Sequence, residues 1–406
     1  MVVDPSSAWS RRAFLRFLAG AGIAAVGSTA SGCASIKPEL RGPQQSRRVL
    51  ADLHTHPSLN AWLKRTPIGV ADPSLLRAVR REFNPTATDW KRLHRVGVDL
   101  VCTAHFNMFD EWLSMPTDPN PDAPKRAQQM IRQLEEILEG PVGAYAQIAR
   151  TSKELRAILA KRWPERDYRV AVVHALEGGH ALGGDPKQVA QLATMGVAII
   201  TVTHFFQKGL ASSANAFPFF PDGDAGWAPT GLSTLGREVI RAMEDAGVVV
   251  DVTHATDHAL ADILAAARRP VIATHTASRT LSDHPYAMHD EHAQEIVKNG
   301  GLLGVILFPY LLSNYAEESV ARREGCIRDV VRMIRHFITV CGTHRGIAIG
   351  SDFSGFIEGP KEMSDLGEVW KLREGLNEEF RDPAMVEDIM AGNAIRFLTT
   401  EWGHGR

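Results

Sequence analysis

The chain has 406 residues, 44% of them hydrophobic, with a formal net charge of −2 and no long acidic or basic block. That is enough apolar material for a substantial core, and length alone leaves one large domain or two ordinary ones open. The balanced charge leaves no electrostatic footprint for nucleic acid as a partner.

Residues 1–32 read as a signal rather than as part of a fold. Arg11-Arg12 precede a weakly apolar, Gly/Ala-rich stretch from Phe17 to Ala30. That stretch is shorter than the ~20 residues that span a bilayer and suits a twin-arginine export signal. It runs into Ala30-Ser31-Gly32-Cys33, a lipobox-like sequence in which Cys33 becomes the acylated first residue. The plainer alternative is an ordinary signal cut nearby, with Cys33 incidental. Cleavage there removes Arg11, Arg12, Arg16 and Asp4, a net +2, so the mature chain carries −4. Residues 33–48 contain Pro38, Gly42 and Pro43 and form a polar tether. The expected location is the periplasmic side of a bacterial membrane, with lipid on Cys33 as the anchor. Residues 49–406 are the domain.

From Val49 onward, eight apolar runs recur at fairly even intervals, and all but one lead into a residue that can bind a metal or move a proton. Val49–Leu53 leads into His54 and His56, Val98–Ala104 into His105, and Tyr168–Leu176 into Glu177. Val197–Thr203 precedes His204, Val248–Thr253 precedes His254, and Val271–Thr274 precedes His275. Leu302–Phe308 carries no such group, and Gly346–Ser351 ends at Asp352. Between the later runs lie helical segments: Ser233–Ala246, with Leu235, Val239, Ile240 and Met243 in register and Gly247 as its stop, then Thr256–Ala267, Glu291–Lys298, Ile327–Cys341 and a closing Pro383–Thr399. Continuous β-branched runs alternating with helices predict parallel strands buried on both faces. The fold class is therefore α/β, a TIM-like (β/α)8 barrel, with its site at the C-terminal ends of the strands. Two long loops at those ends, Phe106–Pro124 and Phe205–Gly231, are expected to wall the site, with Phe217, Phe219, Phe220 and Trp227 making it apolar.

The chemistry follows from residue type and place. His54-Thr55-His56 puts two imidazoles on one side of a strand end. Glu177, behind an apolar strand and before Gly178-Gly179, is poorly explained as a solvated charge and can bridge two cations through its two oxygens. His254 and His275 add neutral nitrogen donors. A nitrogen and oxygen donor set without cysteine matches zinc, although manganese and iron accept the same ligand types. Asp352 can take a proton from a metal-activated water and pass it to a leaving group. His204 is open between joining the metals, hydrogen-bonding a substrate carbonyl and a structural strand-end bond. His105 reads as structural or as a support to the ligands, and His180, His284, His289 and His292 are expected to be exposed. Cys102, Cys326 and Cys341 are expected to be plain thiols, not a disulfide framework.

Several stretches together carry a family resemblance: Glu177-Gly178-Gly179-His180, then Gly231-Leu232-Ser233-Thr234-Leu235-Gly236 leading to Asp251-Val252-Thr253-His254. They are followed by His275 with Ser278-Arg279, the Asp283-His284-Pro285 turn, and Gly350-Ser351-Asp352-Phe353. From about Asp52 to Phe397 the chain resembles the membrane (renal) dipeptidase family of zinc peptidases. The resemblance implies a barrel with two zinc ions bridged by Glu177. His54 and residue 56 would hold the first ion and His254 and His275 the second. His204 would orient the substrate carbonyl, and Asp352 would relay the proton.

Two positions depart from the family pattern. Position 56 is histidine where the family usually has aspartate, which removes a negative charge from the first metal site. Tyr286 stands where the family typically has an arginine that grips the substrate carboxylate, and a phenol cannot replace a bidentate guanidinium. The leading expectation is a dipeptide or related small-molecule substrate hydrolysed by a metal-activated water, in a chain compatible with a homodimer. The alternatives are an amidohydrolase acting on an N-acyl compound or a lactone, and a degenerate metal-binding lipoprotein. Retention of Glu177, His254, His275 and Asp352 together argues against decay.

Overall fold

The computed structural model describes residues 48–59, 88–107, 110–111, 119–206, 208–214, 231–313, 326–355 and 357–404. The stretch read as an export signal, nearly all of the expected tether, and Phe217, Phe219, Phe220 and Trp227 lie outside the described residues. Among the described residues, nine strands form one parallel sheet: β1 (Ala51–Thr55), β2 (Leu100–His105), β3 (Ala146–Ala149), β4 (Val170–Leu176), β5 (Val197–Thr201), β6 (Val249–Asp251), β7 (Ile272–Thr276), β8 (Leu302–Val305) and β9 (Ile347–Ile349). The order β2-β1-β9-β8-β7-β6-β5-β4 closes on itself because β2 also pairs with β4. The result is the eight-stranded parallel barrel expected from the alternating runs.

β3 is the strand the sequence concealed. It pairs Ala146–Ala149 with Val170–Val173, while β5 pairs with His174–Leu176 further along β4. A strand has two edges, and β2 fills one, so β3 and β5 share the other. Four residues with an exposed Gln147 and no chemical group at the tip offer too little periodicity to stand out.

Alternate residues of the strands divide into two packed layers. Leu53, Leu100, Cys102, Val173, Ile199, Ile272 and Leu302 belong to one buried cluster inside the barrel. Val101, Val172, Ile200, Val250, Leu303 and Ile347 join the outer cluster with the helices. Each such aliphatic side chain contributes ~1.5–3 kcal/mol by leaving water, and both faces of the strands are covered, as a parallel sheet requires. The helix Thr234–Asp245 starts where Ser233 Oγ accepts the Gly236 N–H at 2.9 Å, and it buries Val239, Ile240 and Met243. Thr256 caps Asp257–Ala266 in the same way.

The closing helix is not one piece. It runs as Pro383–Glu387, a π-helical turn at Asp388–Gly392, and Asn393–Glu401. Just past that turn, the Asn393 amide donates to the carbonyls of His344 and Ile347, each at 2.7 Å, tying the segment to the start of β9. A further helix, Val369–Phe380, buries Leu372 and Leu376 and has no counterpart in the sequence reading. Cys326 and Cys341 stand at opposite ends of helix Ile327–Cys341, about 22 Å apart by helical rise, and all three described cysteines are free thiols. No helix among the described residues is long and apolar enough to cross a membrane.

Candidate metal centre

Four strands, β5, β6, β8 and β9, end before their apolar runs do, and this difference shapes the site. His54 and His275 lie within β1 and β7, whereas His204, His254 and Asp352 each sit three residues past the last residue of β5, β6 and β9. Those three side chains therefore hang on short turns, and two of the turns are strained. His254 and Asp352 adopt left-handed backbone, with φ of 68° and 61°. For a residue with a side chain this costs roughly 1–3 kcal/mol and persists only where the surroundings enforce it. Here the Ala214 N–H donates to the His254 carbonyl at 2.6 Å, and the Asp352 N–H donates to the His54 carbonyl at 2.8 Å.

Glu177 is the centre of the arrangement. Its Oε1 lies 3.2 Å from His54 Nε2, 3.3 Å from His254 Nε2, and 3.5 Å from the Nε2 of both His204 and His275. Its Oε2 lies 3.6 Å from His56 Nε2. Asp352 Oδ1 stands 3.1 Å from His56 Nε2 and 3.9 Å from His54 Nε2. Glycines make the crowding feasible. Gly178, at φ 92°, turns the chain directly after Glu177, and a Cβ there would lie 3.1 Å from His204 Cβ. A Cβ on Gly355 would press to 2.6 Å from the His56 ring.

One buried carboxylate among five imidazoles is an unbalanced set of charges. Burial pushes the Glu177 carboxyl up, but His204, His54 and His56 outweigh it and hold it well below the ordinary range. Burial likewise opposes charge on His54, yet the Glu177 carboxylate raises that ring to about 9. The protein thus compensates Glu177 with protons on its neighbours, a place a metal cation takes naturally. The donor set fits such an ion: His54 Nε2 is buried with no hydrogen-bond partner, and among the described residues no candidate ligand group includes a cysteine. Among the described residues, three groups have ligand atoms within 4.8 Å of one another: His54, His56 and Glu177; His54, His275 and Asp352; and Glu177, His204 and His254.

The cavity above is lined by His56, Glu177, His204, His254, His275 and Asp352 on its polar side. Phe205, Tyr286, Ile306, Phe308, Leu311 and Ile357 form its apolar side. Tyr286 is buried, and its hydroxyl donates to the His275 carbonyl, so the ring and not the phenol faces the cavity. Arg279 is committed elsewhere: Nη1 meets Asp257 at 2.6 Å and Nε donates to the His284 carbonyl at 3.3 Å.

Some residues lie apart from their expected places. His180 was expected on the surface but is buried at 4% exposure, with its ring against Phe106 and Nδ1 4.0 Å from Glu111. The cause is Gly178-Gly179, which folds the chain inward rather than out. His284 and His292 are half-buried and His289 is exposed. His105 lies outside the cluster, with Nε2 2.9 Å from His174 Nδ1.

Three supporting carboxylates escaped the sequence reading. Glu111 is fully buried and accepts from His204 Nδ1 at 2.7 Å and from the Phe206 N–H at 3.0 Å. It falls in the Phe106–Pro124 part of the sequence, where no hydrophobic periodicity marks it. Asp52 accepts from the Ser351 N–H at 2.8 Å and the His54 N–H at 3.2 Å, and burial raises its carboxyl to about 6. Asp251 accepts from Thr201, Thr253 and Thr274. A carboxylate inside an apolar strand run was the available signal for both.

Barrel and donors together define a (β/α)8 domain of the metal-dependent hydrolase type. More narrowly, the chain belongs to the membrane dipeptidase family, peptidase family M19, whose model matches residues 44–402. An uncharacterized dipeptidase of Schizosaccharomyces pombe is 27% identical over 237 residues, covering 58% of this chain and 54% of that protein. A dipeptidase of Aspergillus terreus is 28% identical over 250 residues, 57% of each chain. The chain thus spans about half the length of the curated relatives it matches. Among solved structures, a metallopeptidase named dipeptidase AC superposes with a TM-score of 0.69 at 18% identity, covering 88% of this chain and 99% of that one. A metallopeptidase from Rhodobacter sphaeroides, liganded with a phosphinate mimic of the dipeptide L-Ala-D-Ala, gives a TM-score of 0.67 at 18% identity, covering 88% and 100%. At those identities the likeness is one of fold.

Proposed function

We propose that this protein is a metal-dependent hydrolase of dipeptides or closely related amides, and that its site holds two zinc ions. The observation that carries the reading is Glu177, buried at the barrel mouth with five imidazole nitrogens between 3.2 and 3.6 Å from its oxygens. Family membership and the dipeptidase names of the relatives support it, as does the dipeptide mimic bound by the Rhodobacter sphaeroides structure. His54 and His56 would hold one ion, His254 and His275 the other, with Glu177 between them. Bound there, the ions supply Lewis acidity toward an amide carbonyl and lower the pKa of water toward ~7.

The chain's own groups do the rest. Asp352 lies at the rim with its side chain 15% exposed, close enough to His56 to face the reacting atoms and open enough to reach a leaving nitrogen. It takes the proton from the attacking water and delivers it to that nitrogen. His204, held through Nδ1 by Glu111, turns Nε2 into the cavity, where it steadies the carbonyl oxygen as charge develops. Phe205, Ile306, Phe308 and Leu311 exclude water and receive an apolar part of the substrate.

Tyr286 favours a second substrate class. Its hydroxyl is spent on the His275 carbonyl, and the neighbouring Arg279 is paired with Asp257, so neither offers a free carboxylate a bidentate partner. Substrates whose far end is uncharged, such as N-acyl amides or lactones, fit this wall. Location is part of the proposal: Arg11-Arg12 and Cys33 support export and lipid anchoring on the periplasmic side of a bacterial membrane. Metal analysis of the purified protein with a substrate panel tests the reading. Two zinc equivalents and hydrolysis of Ala-Ala-type dipeptides or their C-terminally blocked analogues are expected. Absence of bound metal together with no turnover of any amide would overturn it. A Tyr286→Arg variant separates the substrate classes by raising kcat/KM selectively on dipeptides with a free carboxylate.

A further inference from the structure

Beneath the imidazoles lies a buried hub that the proposed chemistry does not use. Asp251 and Thr274 are both fully buried. Asp251 Oδ2 accepts from the hydroxyls of Thr201 and Thr274, each at 2.6 Å. Its Oδ1 accepts from the Thr253 hydroxyl at 2.7 Å and from the backbone N–H of Thr253 and Thr274 at 3.0 Å. The single hydroxyl proton of Thr274 is therefore committed to Asp251. What remains on Thr274 Oγ1 is acceptor capacity only, and two ring nitrogens stand against it: His54 Nδ1 at 3.2 Å and His275 Nδ1 at 3.0 Å. Both must donate, so both carry a proton on Nδ1 and turn Nε2 toward Glu177 at 3.2 and 3.5 Å.

The backbone at this position is pinned as closely as the side chain. A Cβ on Gly304 of β8 would lie 1.9 Å from the Thr274 carbonyl oxygen, and one on Gly350, just past β9, would lie 1.7 Å from it. Only glycines let those neighbours come so near, and their approach holds Thr274 under the two rings. His56 and His254 lack this support, because their Nδ1 atoms are buried with no hydrogen-bond partner.

We propose that Thr274, clamped by Asp251, is a shared positioning residue that fixes the tautomer of His54 and His275 with one hydroxyl and so couples the two halves of the metal centre. The proposal rests on the two-ion reading above, in which His54 and His275 serve different ions. Groups that orient metal-bound histidines are generally worth ~10–100-fold in metal affinity. One hydroxyl serving both rings should therefore move both binding steps at once.

The test is zinc titration of the metal-depleted protein against a competing chelator, with the melting temperature of the metal-depleted form followed in parallel. Thr274→Val is expected to weaken both binding steps about 10–100-fold, and Thr274→Ser to restore them. A folded Thr274→Val protein that binds both ions as the wild type does would overturn the proposal. So would loss confined to one ion, or a Ser variant no better than Val. Ring-nitrogen NMR of the metal-depleted wild type, labelled with 15N-histidine, gives a readout free of variants. Recorded at alkaline pH, where both rings are neutral, it is expected to show the proton on Nδ1 and a bare Nε2 for both His54 and His275, and a bare Nδ1 on either refutes the tautomer lock. If the wild type takes up no zinc, the two-ion reading falls and the shared coupling falls with it, while the NMR result still decides the tautomer. If Thr274→Val does not fold, the NMR result decides alone.

Discussion

Two groups of buried histidines occupy this barrel, and they differ in how their charges are matched. At the mouth, five imidazoles share the single carboxylate of Glu177, with Asp352 beside them. On the barrel wall, His105 Nε2 meets His174 Nδ1 at 2.9 Å, and His174 Nε2 lies 3.6 Å from Glu135, which Arg150 in turn engages at 2.7 Å. The wall group runs outward to an ion pair near the surface and gathers no carboxylate at its centre, although His105 Nδ1 and His174 Nε2 are buried without hydrogen-bond partners. In the mouth group the nitrogens outnumber the groups that could receive them. Burial of a histidine therefore says little about function, whereas an uncompensated cluster around one carboxylate calls for a cation.

The contrast can be broken most severely at Glu177. Glu177→Gln removes the charge that draws the imidazoles together. We expect less than one zinc per chain by elemental analysis and a loss of activity beyond the ~10²–10⁴-fold that a proton-transfer group supplies; unchanged stoichiometry would rule out a bridging role. Asp352→Asn should keep metal and fold while lowering kcat by roughly 10²–10⁴-fold, and near-normal turnover would remove Asp352 as the proton carrier. Glu111→Gln should cost ~10–100-fold in kcat, with metal content retained, because His204 loses its orienting carboxylate. Equal kinetics in that variant would make the Glu111–His204 contact structural only.

The wall group sharpens the comparison from the other side. His174→Gln is expected to leave zinc content and turnover unchanged and to destabilise the fold by about 1–3 kcal/mol, the usual cost of an unsatisfied buried polar group. Denaturant unfolding with metal analysis checks this, and a fall in bound zinc would join the two groups after all. The smallest effect concerns His284, outside both clusters. Burial and the Arg279 charge depress its ring to about 4, and its Nδ1 accepts the Tyr286 N–H at 3.2 Å. The folded pKa lies below the unfolded value near 6.5, so the stability this ring contributes is present above pH 6.5 and is lost as pH falls toward 4. His284→Gln should flatten the drop in melting temperature across that window, and an identical drop in the variant would clear His284 of the effect.

How much of this was legible beforehand varied residue by residue. Val248–Thr253 announces a buried parallel strand because β-branched residues fill every position except Asp251, and His54, Glu177, His254, His275 and Asp352 stand out because each follows such an apolar run. β3 was invisible, since Ala146–Ala149 is too short and mixed to show a period. Glu111 was invisible for another reason: it falls in a part of the sequence that no hydrophobic periodicity marks, and it acts on His204, 93 positions away in sequence.

The order of apolar runs and the residues at their tips determined the barrel and the set of candidate ligands, because periodicity and burial are local properties of the chain. Which of those side chains meet was decided only in three dimensions. Closure of β2 onto β4 brings positions 54 to 352 around one carboxylate, the glycines admit the rings, and the left-handed turns at His254 and Asp352 aim them. The same closure buries His180, spends Tyr286 on a backbone carbonyl and places Thr274 between two histidines. Such matters depend on contacts between distant segments, which pairwise packing fixes and residue order alone does not.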